Sequence, residues 1–266
     1  MFAKLLGRVL PQAIYSDAKC GPPRFVPPGR VDFEAVGLSV YNGCYAVVFD
    51  GLFSEAELSS FLAEAEASSP WDVAKINAGT HAITDTTYRN GERIIYDSFE
   101  LSQKIFERIR PHLRDIEEIE RTTHVNGVKA VQTWRMVRLN ERLRFLRYHK
   151  GGFFRAHVDG RYDDPETKQR TFYTLQFYLP SDASGSKESF QSPQGGSTRF
   201  RGRDPQMAYA DVESIPGRVL VFQHADLLHA GEEVTGGVKC TVRSDILYER
   251  VGEPVLVGPA RTYQVA

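Results

Sequence analysis

Residues 142–159 read RLRFLRYHKGGFFRAHVD, and this stretch indicates the class of fold. Two runs rich in aromatic and aliphatic side chains, 142–149 and 153–158, flank a Gly-Gly pair, which is the pattern of two strands joined by a turn. Further runs of the same kind follow at 171–179, 218–222 and 238–248. Several short strands separated by Gly, Asp, Ser and Pro are typical of a sandwich or a barrel.

Upstream of these strands, apolar residues recur at helical intervals. Ser54 stands three residues before Glu57, the spacing of a capping box, and predicts a first helix that runs to Ser68. A second helix is predicted from about residue 98 to just before Pro111, because proline does not continue a helix. Helices therefore dominate the first half of the chain and strands the second half.

Composition excludes several functional classes. The 266 residues carry 33 Lys plus Arg against 34 Asp plus Glu, so no global positive field exists to attract nucleic acid or an anionic membrane. No stretch approaches the roughly 18 apolar residues that a membrane span needs. Three cysteines without a CxxC pair indicate neither a disulfide framework nor a structural zinc site. We expect a cytoplasmic protein with no nucleic-acid partner and no membrane partner.

The segment His157-Val158-Asp159 is a candidate for metal binding. In a strand, the period of two places the imidazole and the carboxylate on one face. The best third ligand is His229, at the end of a run that looks like a strand entering a loop. Two histidines and one carboxylate are the ligand set of non-heme Fe(II) oxygenases, and zinc with a bound water could use the same ligands. A His-x-Asp pair alone is common, so the neighbouring sequence is needed to distinguish an iron site from a zinc site.

The sequence around these candidate ligands resembles the 2-oxoglutarate/Fe(II) dioxygenases, and within them the prolyl 4-hydroxylase-like branch. The resemblance covers about residues 140–248 and consists of several motifs in order. The matched residues are Tyr148, Gly151, Phe154, His157 and Asp159; Arg170, Thr174, Tyr178 and Leu179; Gly195, Gly196, Thr198 and Phe200; Pro216, Gly217, Phe222 and His229; and Lys239, ten residues past His229. One departure is Phe154, which stands where the family has a second tyrosine.

The resemblance implies a fold and the boundaries of the domain. We expect an α+β, mainly β architecture: a double-stranded β-helix, or distorted jelly roll, buttressed by N-terminal helices. The expected organisation is an N-terminal arm (1–30), a single dioxygenase domain (31–250) with its jelly-roll core at about 131–250, and a C-terminal tail (251–266). The Ser/Gly-rich segment 181–197 is either a surface excursion or a lid.

The resemblance also implies which residues bind the metal and the cosubstrate. His157, Asp159 and His229 would bind Fe(II), and Lys239 would pair with the distal carboxylate of 2-oxoglutarate. Arg243 is the alternative partner, because it lies on the same strand face as Lys239. The two residues are about 13 Å apart at strand rise, so both could not readily bind the same carboxylate. The remaining cosubstrate contacts are expected from Tyr148, Thr174 and Thr241. O2 is the second cosubstrate, and ascorbate is a further candidate cofactor.

Substrate contacts are expected from loops near the metal-binding strand. Tyr88 and Arg93 lie in a polar segment before the second helix, and Arg161 and Tyr162 directly follow the metal-binding strand. Loops at the mouth of a barrel are the usual place for such contacts. An arginine-rich stretch with aromatic residues, 134–155, could bind nucleic acid, but a pair of strands with solvated faces is the favoured interpretation.

The predicted reaction is oxidation, by default hydroxylation, of an unactivated C–H bond in a small-molecule or amino-acid-derived substrate, with release of succinate and CO2. One alternative is a protein hydroxylase that acts on prolyl or similar side chains, which needs an open groove. A second alternative is a non-catalytic jelly-roll binding module. The shape of the cavity beside the metal ligands distinguishes a small substrate from a polypeptide.

Overall fold

A computed structural model describes residues 25–77, 82–202, 204 and 208–257. Residues 1–24 of the expected N-terminal arm and 258–266 of the expected C-terminal tail lie outside the described residues. The rest of that tail, 251–256, continues the last strand.

The described residues form two α-helices, three 3-10 turns and a series of strands. The helices are α1 (Glu55–Ser68) and α2 (Phe99–Ile109), and the 3-10 turns are Ser39–Tyr41, Arg110–His112 and Arg114–Ile116. The strands are β1 (Gly29–Arg30), β2 (Ala46–Phe49), β3 (Asp72–Val73), β4 (Ile76–Asn77), β5 (Ala82–Ile83), β6 (Arg89–Asn90), β7 (Glu92–Asp97), β8 (Glu118–Val125), β9 (Val128–Leu139), β10 (Arg142–Tyr148), β11 (Phe153–His157), β12 (Arg170–Leu179), β13 (Gln194–Gly195), β14 (Thr198–Arg201), β15 (Tyr209–Val212), β16 (Val219–Gln223), β17 (His229–Gly231), β18 (Val234–Gly236) and β19 (Lys239–Leu256).

Both predicted helices are confirmed, and each begins where its capping residue indicates. Ser54 accepts a hydrogen bond from the Glu57 amide while the Glu57 side chain accepts from the Ser54 amide, so the capping box at the start of α1 is complete. Ser98 caps α2 by accepting from the Leu101 amide. No helix in the described ranges is long and apolar enough to cross a membrane.

The main sheet has the strand order β1-β2-β16-β12-β19-β10-β7-β3. In addition, β9 pairs with residues 246–256 of β19, and β8 pairs with β9. The long strand β19 pairs with β12 along one edge, and with β10 and then β9 along the other. A second sheet has the order β15-β14-β17-β11-β6 and faces the first. This arrangement is the predicted double-stranded β-helix. Strands from outside the expected core at 131–250 also join the two sheets, namely β1, β2, β3, β6, β7 and β8.

Alternation along β19 gives the main sheet two different faces. Cys240 and Val242 point into the core cluster that also contains the apolar faces of α1 and α2. By the period of two, Lys239, Thr241 and Arg243 point to the opposite face, toward the second sheet. The helices therefore cover one side of the sheet, and a polar interior lies on the other.

The Ser/Gly-rich segment lies on two sides of the main sheet. Phe190 packs against the helix-side core cluster, so residues 181–191 lie away from the polar interior. The end of the segment behaves differently, because β13 pairs with β18 and Gly196 packs against the Lys239 side chain.

Candidate active site

Strand pairing brings the two predicted histidine ligands together. His157 ends β11 and His229 begins β17, and these residues are direct partners in the antiparallel register. Their ring centroids lie 4.4 Å apart. Two residues that are distant in sequence thus meet because adjacent strands of the second sheet place them opposite each other.

Both imidazoles are held in the tautomer that binds a metal. His157 Nδ1 lies 2.8 Å from the Arg155 carbonyl and His229 Nδ1 lies 3.1 Å from the Leu227 carbonyl. A carbonyl only accepts hydrogen bonds, so each Nδ1 carries a proton and each Nε2 is the nitrogen left to face a metal. Burial and the neighbouring His157 lower the pKa of His229 to about 3, so this ring is neutral at physiological pH.

Asp159 lies two residues beyond the end of β11 and is buried. Its Oδ1 is 3.5 Å from His157 Nε2 and 3.8 Å from His229 Nε2. The Thr174 hydroxyl donates to Oδ2 at 2.6 Å, and Arg243 lies 2.9 Å from Oδ1. Burial by itself would raise the pKa of Asp159, but the charge of Arg243 is the largest of the effects that outweigh it and hold the pKa well below its usual value. The carboxylate is therefore ionised.

These three side chains fit a divalent iron. The ligand atoms of His157, Asp159 and His229 all lie within 4.8 Å of one another. Two neutral imidazole nitrogens and one carboxylate oxygen are the donor set of non-heme Fe(II) centres, which leaves further coordination positions open.

A cavity adjoins the histidine ligands between the two sheets. Phe154 stacks on the His157 ring at 3.8 Å, and Phe222 packs edge-on against His229 at 4.7 Å. The cavity is lined by Arg89, Leu146, Tyr148, Phe154, His157, Gln176, Thr198, Phe222, His229, Ala230, Gly231, Lys239, Thr241 and Arg243. The walls are thus partly aromatic and partly cationic.

Comparison with known protein families identifies this site. Residues 143–244 match the family described as the 2OG-Fe(II) oxygenase superfamily, and the match contains all three metal ligands. The resemblance to the 2OG-Fe(II) oxygenase superfamily is confirmed over this segment. The protein is a 2-oxoglutarate/Fe(II)-dependent dioxygenase.

Solved structures show a similar fold. A prolyl-4-hydroxylase from Pseudomonas putida aligns with a TM-score of 0.51 and 16% sequence identity, covering 81% of this chain and 99% of that one. The viral collagen prolyl hydroxylase of Paramecium bursaria Chlorella virus 1, solved with 2OG, gives a TM-score of 0.46 and 18% identity over 78% of this chain and 98% of that one. No curated protein matches the chain. The alignment with the Pseudomonas putida structure shows that the oxygenase is prolyl 4-hydroxylase-like in fold.

The cofactors of the oxygenase are Fe(II), which the His157, Asp159 and His229 side chains fit, and 2-oxoglutarate, with O2 implied by the family. When bound, iron and 2-oxoglutarate supply the activation of O2 that oxidises a C–H bond. The chain supplies the ligand set, the charges around the cavity and the exclusion of water.

Lys239, predicted to bind the cosubstrate, lies inside the cavity of the oxygenase. It is the first residue of β19, it is buried, and its Nζ lies 5.7 Å from the ring centroids of both Tyr148 and Tyr178. In the described part of the chain, no acidic side chain comes within salt-bridge distance of this ammonium group. A buried cation without a bound carboxylate is suited to receive one from a ligand.

The pH dependence of cosubstrate binding tests this position. Burial lowers the pKa of Lys239 to about 8, although Glu232 and Asp211 act in the opposite direction. The ammonium group is therefore charged below pH 8 and loses its proton above it. We expect 2-oxoglutarate affinity to be flat up to about pH 7.5 and then to fall by up to about tenfold per pH unit.

Calorimetric titration of the Mn(II)-loaded protein with 2-oxoglutarate from pH 7 to 9.5 measures this dependence. The Lys239→Arg variant is the control, because arginine keeps its charge over the whole range. An equally steep decline in this variant would show that Lys239 does not cause the pH dependence.

Tyr148 can occupy the cavity wall because the residue between β6 and β7, Gly91, has no side chain. A Cβ on Gly91 would lie 2.5 Å from Tyr148 Cε1 and 2.6 Å from Cδ1. We expect Gly91→Ala to displace the ring and to lower the free energy of unfolding by about 1–3 kcal/mol, the usual cost of overpacking. Urea denaturation measures this loss. Gly160→Ala is the matched control, since a Cβ there meets nothing within 4 Å. Equal stability of both variants would contradict the prediction.

The other predicted cosubstrate residues lie close to the iron ligands. Thr241 is buried in the cavity wall, two residues from Lys239 on the same face of β19. Thr174 bonds to Asp159 and so positions a metal ligand. Arg243 also lines the cavity, but its guanidinium contacts Asp159 at 2.9 Å and Asp245 at 3.6 Å.

The four predicted substrate residues are not among the residues that line the cavity. The Tyr88 hydroxyl donates to the Ala156 carbonyl at 3.3 Å, and the ring packs edge-on against Phe154. Arg93 donates to the Lys75 carbonyl at 3.4 Å. The exposed side chains of Arg161 and Tyr162 follow β11, with Arg161 paired to Asp163 at 3.0 Å. A role in substrate binding stays a prediction for all four.

Sequence reasoning missed three polar residues of the cavity wall. Gln176 donates to the Thr198 hydroxyl at 2.9 Å, and both residues line the cavity. Gln176 could have been predicted, because it lies on the same face of β12 as Thr174. Thr198 could also have been predicted, because it lies within one of the motifs that resemble the oxygenase family. Arg89 is the third, and only the pairing of β6 with β11 brings it to the site.

Proposed function

We propose that the oxygenase hydroxylates an unactivated C–H bond of a small-molecule or amino-acid-derived substrate. The observation that carries this proposal is the form of the cavity beside the metal ligands. It lies between the two sheets beside both histidine ligands, and its wall combines aromatic side chains with a few fixed polar groups, as small-molecule sites do. Succinate and CO2 would be the co-products.

The wall residues have separate tasks in this proposal. Lys239 binds the distal carboxylate of 2-oxoglutarate and fixes its direction relative to the iron ligands. Phe154 and Phe222 pack on the two histidines and exclude water from the reacting centre. Thr174 and Arg243 hold the Asp159 carboxylate in position from two sides.

A polypeptide is the second candidate substrate. Val158 lies between the two metal ligands of the His157–Asp159 segment and is 46% exposed, and Tyr162 nearby is 42% exposed. Exposed apolar side chains next to a metal site can receive an extended peptide. In that case prolyl or similar side chains of a protein would be hydroxylated.

Substrate-stimulated formation of succinate tests the proposal. The protein is incubated with Fe(II), 2-oxoglutarate and O2, with and without a panel of amino acids, small carboxylic acids and proline-containing peptides. We expect at least one small molecule to stimulate succinate release and to gain one oxygen atom by mass spectrometry. His157→Ala should abolish the reaction, whereas His149→Ala should not, because His149 is exposed and paired with Glu92.

Each alternative has its own result. Stimulation by peptides alone would replace the proposal with protein hydroxylation. No succinate under any condition would support a non-catalytic binding module.

A further inference from the structure

Arg89 is an arginine inside the cavity that the functions described so far do not use. It lies on β6, the edge strand of the second sheet, directly opposite Phe154 of β11. The residue is only 7% exposed, and its guanidinium carbon lies 4.4 Å from the centroid of the Phe154 ring. One nitrogen, Nη2, donates to the Tyr148 hydroxyl at 3.0 Å. The side chain therefore extends along the cavity wall beside the metal-binding strand.

The guanidinium of Arg89 lacks a charged partner. Across the described ranges, no acidic side chain forms a salt bridge with it, and its buried Nε–H has no hydrogen-bond acceptor. A buried cation with an unused donor destabilises a fold unless an anion compensates it. Stacking on Phe154 offsets part of this cost but gives the Nε–H no acceptor.

The cosubstrate does not account for this charge. In the proposed function Lys239 binds the distal carboxylate of 2-oxoglutarate, and Arg243 is paired with Asp159. Burial and the neighbouring Arg89 and Arg144 lower the pKa of Arg93, so a second arginine increases the positive potential on this side of the site. With the metal and 2-oxoglutarate bound in this way, Arg89 would still have no anionic partner among the described residues.

We propose that Arg89 binds a carboxylate of the substrate, so that the oxygenase acts on a small carboxylic acid. This inference rests on the proposed function and specifies its substrate class. A guanidinium presents parallel N–H donors that match the two oxygens of a carboxylate, and Arg89 has its Nε–H available. The Tyr148 hydroxyl, bonded to Nη2, fixes the orientation of the group.

Equilibrium binding of matched acids and amides tests the proposal without turnover. The Mn(II)- and 2-oxoglutarate-loaded protein is titrated anaerobically with the standard L-amino acids, with linear carboxylic acids of two to six carbons, with the primary amides of both sets, and with the matching alkyl phosphates. We expect at least one acid to bind at least about tenfold more tightly than its amide, the size of effect that a charged hydrogen bond gives. Arg89→Met should reduce this ratio to about one, and Arg89→Lys should keep part of it.

Arg155→Met is the matched control. Arg155 stacks on Phe153 of the same strand at 4.3 Å but is exposed on the outside, so this variant should retain the full preference for acids. The affinity for 2-oxoglutarate is measured in each variant as a second readout.

Four results would overturn the proposal. Three of them are equal binding of acids and amides by the wild-type protein, a preference that survives in Arg89→Met, and tighter binding of phosphates than of carboxylates. A larger loss of 2-oxoglutarate affinity than of acid affinity in Arg89→Met would also overturn it, because Arg89 would then belong to the cosubstrate site. Failure of the proposed function is a separate result, since absence of succinate formation leaves these binding ratios measurable.

Discussion

Asp159→Ala is expected to abolish succinate formation, to weaken metal binding by at least about 100-fold, and to destabilise the metal-free protein. The substitution removes the only carboxylate among the three predicted ligands. It also leaves the guanidinium of Arg243 without its nearest partner at 2.9 Å. We expect a loss of roughly 2 kcal/mol of unfolding free energy, below the ~3–5 kcal/mol typical of fully buried pairs, because Asp245 remains near Arg243.

Two measurements separate these effects. Calorimetry with Mn(II) reports metal affinity, and urea denaturation in the presence of a chelator reports stability without metal. Adding Arg243→Met to Asp159→Ala should restore much of the stability but none of the metal binding. Asp163→Ala, which removes an exposed carboxylate of the next loop, should change neither quantity. Wild-type metal affinity in Asp159→Ala would show that these three side chains are not the iron site.

The metal ligands could be predicted from sequence because they belong to short motifs. His157 and Asp159 are two residues apart in the chain, and His229 and Lys239 are ten residues apart in a recognisable pattern. Strand parity correctly placed Lys239, Thr241 and Arg243 on one face of β19, opposite the face packed by the helices. One detail differed: β11 ends at His157, so Asp159 reaches the site from the following turn.

The remaining residues of the site depend on long-range pairing that one sequence does not encode locally. Arg89 enters the cavity because a two-residue strand, β6, pairs with β11. Nothing in the residues around Arg89 distinguishes it from Arg93, whose side chain bonds to a backbone carbonyl outside the cavity lining. Thr174 was expected near the cosubstrate, but its hydroxyl faces Asp159, a choice of rotamer that strand parity does not determine.

Lys239→Ala is expected to raise the 2-oxoglutarate concentration needed for half-maximal turnover far more than Arg243→Ala does. Lys239 is buried, it has no carboxylate partner in the part of the chain that the structure describes, and it lies in the cavity beside Tyr148. Truncating one member of a buried, hydrogen-bonded charge pair costs about 2–5 kcal/mol, which corresponds to a loss of affinity of roughly 30-fold or more. Arg243 is already neutralised by Asp159 and Asp245, so its removal leaves the charge that attracts the cosubstrate in place.

The two variants should also fail in different ways. Lys239→Ala should bind Mn(II) with nearly wild-type affinity but 2-oxoglutarate weakly, and saturating cosubstrate should restore much of its turnover. Arg243→Ala should bind 2-oxoglutarate within about tenfold of wild type, and its main defect should be metal binding, because Asp159 loses the cation that holds it. Lys150→Ala, at an exposed lysine just after β10, is the matched control and should change neither affinity. The opposite ranking of the two variants would assign the cosubstrate carboxylate to Arg243, and Lys239 would then be a second unpaired cation available to an acidic substrate.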